Sequence, residues 1–287
     1  MRMRGYRRYQ VVIWLVVLAL IMGGCARRGP RARVSPTALP RRQETMSPPQ
    51  EKKAVQVNGS LEEVNGVRVL RLWGSHQEMG YAYGYLLADE LLEVIEQALF
   101  GEMLSKFPKN WTYEKVASIM DERILWPEGY EEEMEAMVRG MEAALGTLPE
   151  ITHERIEQGS LPVEPMMLAI LNASRDLVDL SLDCCSFAAW GKTTEDGQTR
   201  VAGTEQGAWG VMSEHTLLMV RKPDYGLAWA GSDVVGSLTC MRGMNETGVA
   251  VAPQGAETPW LEVKGSCYTG MHARLVLEQV AAGPDMV

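Results

Sequence analysis

Residues 181 to 191 read "SLDCCSFAAWG". Cys184 and Cys185 stand side by side after a polar stretch that ends in Asp183, and they open a short apolar, β-prone run. The texture of the chain changes here. Upstream, "SHQEMGYAYGYLLADELLEVIEQALFGEML" starts at Ser75 and carries Glu78 three residues on, a capping-box pattern for a helix start. Gly80 and Gly84, four apart, would let a second helix pack closely on this one. In "EEEMEAMVRGMEAAL", Met134, Met137, Val138, Met141 and Leu145 share one helical face and read as core. Glu131 to Glu133 read as a solvated first turn, where negative charge is favoured. "PMMLAILNASRDLVDL" is a further apolar helix. Downstream, "CCSFAAWGK", "TRVAGTEQ", "HTLLMVRK", "GLAWAG", "SLTCMRGM" and "GVAVAPQ" are short strand-like runs parted by turn residues such as Glu195-Asp196-Gly197 and Asn245-Glu246-Thr247-Gly248. Helices first and strands afterwards predict an α+β fold, an antiparallel sheet flanked by helices.

The N-terminal end is of another kind. Arg2, Arg4, Arg7 and Arg8 precede an apolar run from Val11 to Met22, which has the length of a signal-peptide core rather than of a bilayer span. Gly23-Gly24-Cys25 then resembles the bacterial lipobox, in which the cysteine is lipidated, with Met22 where Leu is usual. Lipidation at Cys25 and an uncleaved N-terminal anchor are the two readings, and both make the chain an exported, membrane-held protein of the cell envelope. Residues 26–56 are rich in Arg and Pro and poor in apolar side chains, which predicts a disordered basic tether. Residues 1–53 carry a net charge of +10 and the remainder −19, so the overall −9 joins two opposite pieces. The basic arm suits anionic headgroups. The acidic body argues against nucleic acid as a partner. The remaining ~230 residues are enough for one large core. They divide at the cysteine pair into a mainly helical region, 57–183, and a β-rich region, 184–287. The final "LVLEQVAAGPDMV" leaves a helical pattern with no closing element, which suggests that the protein extends past Val287.

Several chemistries find no foothold. His76, His153, His215 and His272 are scattered without metal-ligand spacing, and Cys-x-x-Cys is lacking, so neither zinc nor any other cofactor is expected. Gly-x-Ser-x-Gly and phosphate-cradling glycine loops are lacking too. What remains is the set Cys184, Cys185, Cys240 and Cys267, which an exported protein could also use as disulfides.

Taken in order, Cys184-Cys185-Ser186-Phe187-Ala188-Ala189-Trp190-Gly191, Glu195-Asp196-Gly197 and Gly243-Met244-Asn245-Glu246-Thr247-Gly248-Val249-Ala250-Val251 resemble the acyl-coenzyme A:isopenicillin N acyltransferase-like family. The upstream stretches from Leu72 to Leu87 and from Leu171 to Leu177 look similar to it as well. The resemblance spans roughly residues 66–280, and bile salt hydrolases and acid ceramidase are more distant relatives. It implies a four-layer αββα N-terminal-nucleophile hydrolase fold and a precursor that cuts its own chain before a cysteine. The freed residue then supplies a thiol as nucleophile and its own α-amine as base, so no separate histidine is needed.

By the family pattern Cys184 is the nucleophile, with Cys185 in the Thr-like place, Ser186 in the Ser/Thr place and Phe187 starting the apolar run; Cys185 is the alternative nucleophile. The oxyanion donor of relatives falls near Gln254, whose amide can give the same hydrogen bond, while a strand-end polar residue is the plain reading of that position. Asn245 reads as a turn residue. Where relatives carry an Arg and an Asp that orient the nucleophile, this chain has Thr204 and Gly207; Glu205 or Arg200 could take over that role. The expected activity is cleavage of a linear amide, or transfer of its acyl group, through a thioester. A phospholipase-like esterase on the same fold and a catalytically degenerate envelope lipoprotein are the alternatives. The expected partners are a small amide or acyl substrate, a membrane through the lipid anchor, and the chain's own second piece after self-cleavage.

Overall fold

The computed structural model describes residues 56–177, 185–204, 210–240, 242–253 and 269–282. They belong to one compact unit, Ala54–Val287. The described residues open with a hairpin rather than a helix. Strands β1 (Gly59–Val64) and β2 (Val67–Gly74) pair antiparallel around Asn65-Gly66. Both turn residues have left-handed φ, 52° and 79°. Asn-Gly meets that demand of a two-residue hairpin turn at little cost. The expected order of helices before strands is corrected to this extent: Leu70 and Leu72 are core, so the alternation of "VRVLRLW" is that of a half-buried strand.

Helix α1 (His76–Leu86) starts as its sequence predicts. Ser75 Oγ accepts from Glu78 N at 3.2 Å, and the Glu78 carboxylate accepts from Ser75 N at 2.9 Å. After α2 (Ala88–Val94) the chain continues through a π-helical stretch (Ile95–Met103) and a 3₁₀ turn (Leu104–Lys106), then α3 (Tyr113–Arg123) and α4 (Tyr130–Leu145). A small ribbon, β3 (Glu150–Thr152) with β4 (Ser160–Pro162), leads into α5 (Pro165–Leu177). Helices α1 and α4 pack backbone to backbone: a Cβ at Gly80 would run into Glu133 O, one at Gly84 into Met137 O, and one at Gly140 into Tyr81 O. Met134, Met137, Val138 and Met141 are buried, as their spacing predicts. Each such side chain contributes about 1.5–3 kcal/mol on leaving water.

Downstream lie a separate hairpin, β5 (Cys185–Ala189) with β6 (Arg200–Thr204), and the short helix α6 (Gly210–Glu214). Strands β7 (Thr216–Pro223), β8 (Trp229–Val234), β9 (Arg242–Asn245) and β10 (Ala250–Val251) follow, then α7 (Thr269–Gln279). The main sheet has six strands in the order β1-β2-β7-β8-β9-β10. It is mixed, not antiparallel as expected, because β2 runs parallel to β7. A parallel pair needs a long crossover, and the upstream helices together with the cysteine region supply it. Of "SLTCMRGM" only the end is strand; Val235 to Cys240 form a buried loop instead.

The two sheet faces differ. Leu72, Arg221, Trp229 and Asn245 lie in register across one face and are buried, as are Leu70 and Met219 in the next row. On the other face Trp73 and Met244 are 42% and 56% exposed. The described residues thus form a mixed sheet with its helical core on one side and a half-open face on the other, where exposed Arg71 and Lys222 stand among Trp73 and Met244.

Candidate functional site

Strand β5 begins at Cys185, the residue after the candidate nucleophile. Its partners across the hairpin are fixed by register: Cys185 faces Thr204, Ser186 faces Gly203, Phe187 faces Ala202, Ala188 faces Val201 and Ala189 faces Arg200. The thiol pair therefore leads into a strand, and the Gly203-Thr204 end of β6 lies beside that start. Phe187 and Trp190 are each 63% exposed, and Val201 is exposed too. Cys184, Glu205, Gln254, Cys25 and Cys267 lie outside the described residues.

Arg200 sits at the opposite end of this hairpin from Cys185. Four residues of strand separate the two, about 13 Å. The Arg200 guanidinium donates to both Asp196 carboxylate oxygens, at 2.7 and 2.8 Å, and so fastens the connecting turn.

A second constellation lies in the core, and its centre is Glu133. Only Glu131 and Glu132 are solvated as expected; Glu133, one step on, is fully buried. Its position on α4 turns it toward the sheet, where cations wait. Arg221 Nη1 donates to Glu133 Oε1, and Arg274 Nη2 donates to Oε2 at 2.7 Å. His76 Nδ1 lies 2.9 Å from Oε2. Arg274 also donates through Nε to Glu278 at 2.7 Å and through Nη1 to Leu238 O at 2.9 Å, and it lies over the Tyr130 ring at 4.3 Å. Trp229 Nε1 reaches Glu278 at 3.3 Å. Two buried arginines and two buried glutamates balance in charge, as burial requires. Burial by itself pushes the Glu133 carboxyl up, but Arg221, Arg274 and the bond from His76 outweigh it and hold it well below the usual carboxylate range.

The rim of this cluster reaches solvent through Tyr225. Its ring stacks on His76 with centroids 4.0 Å apart, and its hydroxyl lies 3.1 Å from both His76 Nδ1 and Arg274 Nη2. A Cβ on Gly129 would run into the imidazole, which fits a glycine there with φ of 83°. Both oxygens of Glu133 are occupied, so this carboxylate holds charge and orientation.

Two of the histidines that look scattered in sequence, His76 and His215, have carboxylate partners in space. His215 Nδ1 lies 3.1 Å from Glu90, which also takes two bonds from Arg68. A sequence signal for the buried ions does exist. Arg221 falls on the apolar parity of β7, after Leu217 and Met219, and Glu133 flanks the methionine stripe.

Below the cluster, the β8–β9 loop is pinned from upstream. Gly236 N donates to Tyr83 Oη at 2.9 Å, while Asn172 Nδ2 donates to Gly236 O and Asn172 Oδ1 accepts from Leu238 N at 2.7 Å. Cys240, buried and free, ends this loop with its sulfur against Gly231 and Gly243. Burial pushes its thiol up to about 12, with Asp233 adding to the shift. A buried thiol of this kind is inert. Asn245 is a turn residue, as read: its Oδ1 accepts from Thr247 N, Thr247 Oγ1 and Val249 N. Its Nδ2 donates to Leu277 O and Val280 O, tying the turn to α7.

No family model matches the chain, and no curated protein matches it.

Proposed function

We propose that this chain is a cysteine N-terminal-nucleophile hydrolase that cuts itself before Cys184 and then attacks a linear amide. The observation that carries the reading is the start of β5 at Cys185, beside Gly203-Thr204 of β6. A thiol at the leading end of a strand meets the need of this chemistry for a nucleophile on a rigid element with its own backbone nitrogen at a free end. In the self-cut, the Cys184 thiol adds to the Asp183 carbonyl, the peptide nitrogen leaves as the new α-amine, and water releases the carboxylate from the thioester. In turnover, the α-amine takes the thiol proton and the sulfur adds to the substrate carbonyl. Gln254 donates to the oxyanion. The amine leaves with a proton, and the thioester passes its acyl group to water or another acceptor.

The four-layer αββα arrangement belongs to the same proposal. Two features support it: the half-open sheet face bearing Trp73 and Met244, and the apolar side chains of the β5–β6 hairpin, which a second sheet packed on that face would bury. Export and anchoring through Cys25 are part of the proposal too.

One observation favours a degenerate, ligand-binding lipoprotein instead. The residue facing Cys185 is Thr204, where relatives carry an orienting Arg, and Arg200 is engaged with Asp196 at the far end of the hairpin. Intact-mass measurement and N-terminal sequencing of purified full-length protein decide between the two. Two pieces, the second beginning Cys184-Cys185-Ser186-Phe187, support the hydrolase, with Cys184→Ala uncut and Cys185→Ala still processed. A second piece that begins at Cys185 moves the nucleophile by one residue. One intact chain from the wild type sinks the self-cutting enzyme.

A further inference from the structure

The two guanidinium groups buried in the central cluster are provided for unequally. Arg274 donates from every nitrogen: Nε to Glu278, Nη1 to Leu238 O, and Nη2 to both Glu133 and Tyr225 Oη. Arg221, also fully buried, donates from Nη1 alone, to Glu133. Its Nε and Nη2 have no acceptor among the described residues, and the hydroxyl of buried Tyr130 has no partner there either. Nε and Nη2 form one edge of the planar group, an edge built to meet two acceptors side by side. The neighbouring rings are a poor substitute. Arg274 lies 4.3 Å over the Tyr130 ring, whereas Arg221 stands 5.9 Å from the Tyr83 centroid and 5.8 Å from that of Trp229. Both of the latter are at the outer limit of a cation–π contact. Buried donors without acceptors are costly, and native interiors meet them with ordered water, about one per 27 residues.

We infer that the Nε–Nη2 edge of Arg221 is an internal water-binding site, and that the bound water is a structural part of the core. It is how the sheet tolerates an arginine at a position whose parity calls for an apolar side chain. Charge selects water over an anion. Arg221 and Arg274 already meet Glu133 and Glu278, and buried Asp233 lies on the same sheet face as Arg221. Asp233 acts on the Tyr83 hydroxyl and the Cys240 thiol, two groups that Arg221 also acts on. A bound anion would add negative charge where carboxylates already match or outnumber the guanidinium groups. Water is neutral, accepts from the guanidinium edge and turns its own protons toward nearby oxygens. Tyr83 suits the same site: its Oη accepts from Gly236 N at 2.9 Å and still has a proton to give. The site is independent of the thiol chemistry proposed above.

A crystal structure of the full chain at about 1.8 Å or better tests this. Density for water at about 2.7–3.2 Å from Nε or Nη2 of Arg221 is the expected result. A protein oxygen on that edge, or a dry edge resting on the Tyr83 and Trp229 rings, overturns the inference. A second crystal soaked in sodium bromide decides the kind of ligand. An anomalous peak at the edge makes it an anion site and overturns water as the occupant; no peak there, with the water density kept, supports it. In solution, relaxation dispersion of water oxygen-17 counts the long-lived internal waters without a crystal. Arg221→Lys keeps a cation for Glu133 and removes the edge, so its count should fall by at least one water relative to wild type. An equal count in the two proteins overturns the inference, whatever the substitution does to stability. Should Arg221→Lys not fold, the wild-type crystals decide alone.

Discussion

The carboxylate of Glu133, on helix α4, accepts from the guanidinium of Arg221, on the strand that joins the two halves of the main sheet, and both side chains are fully buried. A pair of this kind is a weak source of net stability when whole and a large liability when broken. The Arg221–Glu133 contact therefore says more about what the fold cannot lose than about what it gains.

Acid should reveal it. The folded Glu133 carboxyl is held far below its ordinary 4.5. A depressed folded value means that the contribution is fully present above that ordinary value and is withdrawn as pH falls below it toward the folded one. At neutral pH, Glu133→Gln should cost about 3–5 kcal/mol. The gap between wild type and variant should narrow as urea melts are repeated from pH 6 down to pH 3. A gap that stays constant over that range would contradict the assignment.

Gly84→Ala should be worse than an ordinary glycine-to-alanine change in a helix, which is stabilising by up to ~1 kcal/mol. Here the added methyl meets Met137 O, a backbone atom that cannot rotate away. The two helices must part, with a cost of about 1–3 kcal/mol or more. A thermal melt at or above the wild-type midpoint would show that the helices yield.

Asn245→Ala should destabilise by about 2–4 kcal/mol, because it removes five hydrogen bonds at once and leaves the buried carbonyl of Leu277 short of a donor. Asn245→Asp keeps the acceptor side and loses the donors to Leu277 and Val280. It should fall between the two, and hydrogen exchange should show the loss concentrated in α7.

Cys240 should stay unlabelled by a maleimide at pH 8 while the protein is folded and react fully in denaturant, as its burial and raised thiol value dictate. Mass spectrometry of labelled peptides reads this directly. Rapid labelling of native Cys240 would mean that the β8–β9 loop opens.

The sequence discloses what is local. Ser75 and Glu78 cap a helix through atoms three residues apart, and Met134 to Met141 declare a buried face by spacing alone. Gly80 and Gly84 announce a close neighbour without saying which, and the neighbour is the backbone of α4. Asn65-Gly66 between alternating runs was also a readable hairpin signal, masked by the strong helical texture that follows it. What spacing cannot give is the company a charge keeps. Glu133 and Glu132 are alike as letters; one meets two arginines from 88 and 141 residues away, and the other lies exposed and accepts from Gln77. The same limit applies to the parallel pairing of β2 with β7, since nothing within either strand names a partner across the helices. For the candidate nucleophile, the register of Cys185 on Thr204 was implicit in two β-prone runs around Glu195-Asp196-Gly197, whereas the engagement of Arg200 with Asp196 was not.

The pairing of β2 with β7 also bears on how the chain reaches its fold. The partners are separated by roughly 150 residues of chain, so this contact weighs heavily in contact order and closes late. During synthesis the β1–β2 hairpin leaves the ribosome early and must wait, one strand edge open, until Thr216 to Pro223 have been made. At about 5–20 residues per second that wait lasts on the order of ten seconds. For that interval the apolar edge strand bearing Leu70 and Leu72 is a surface that a chaperone can hold or that a neighbouring nascent chain can capture.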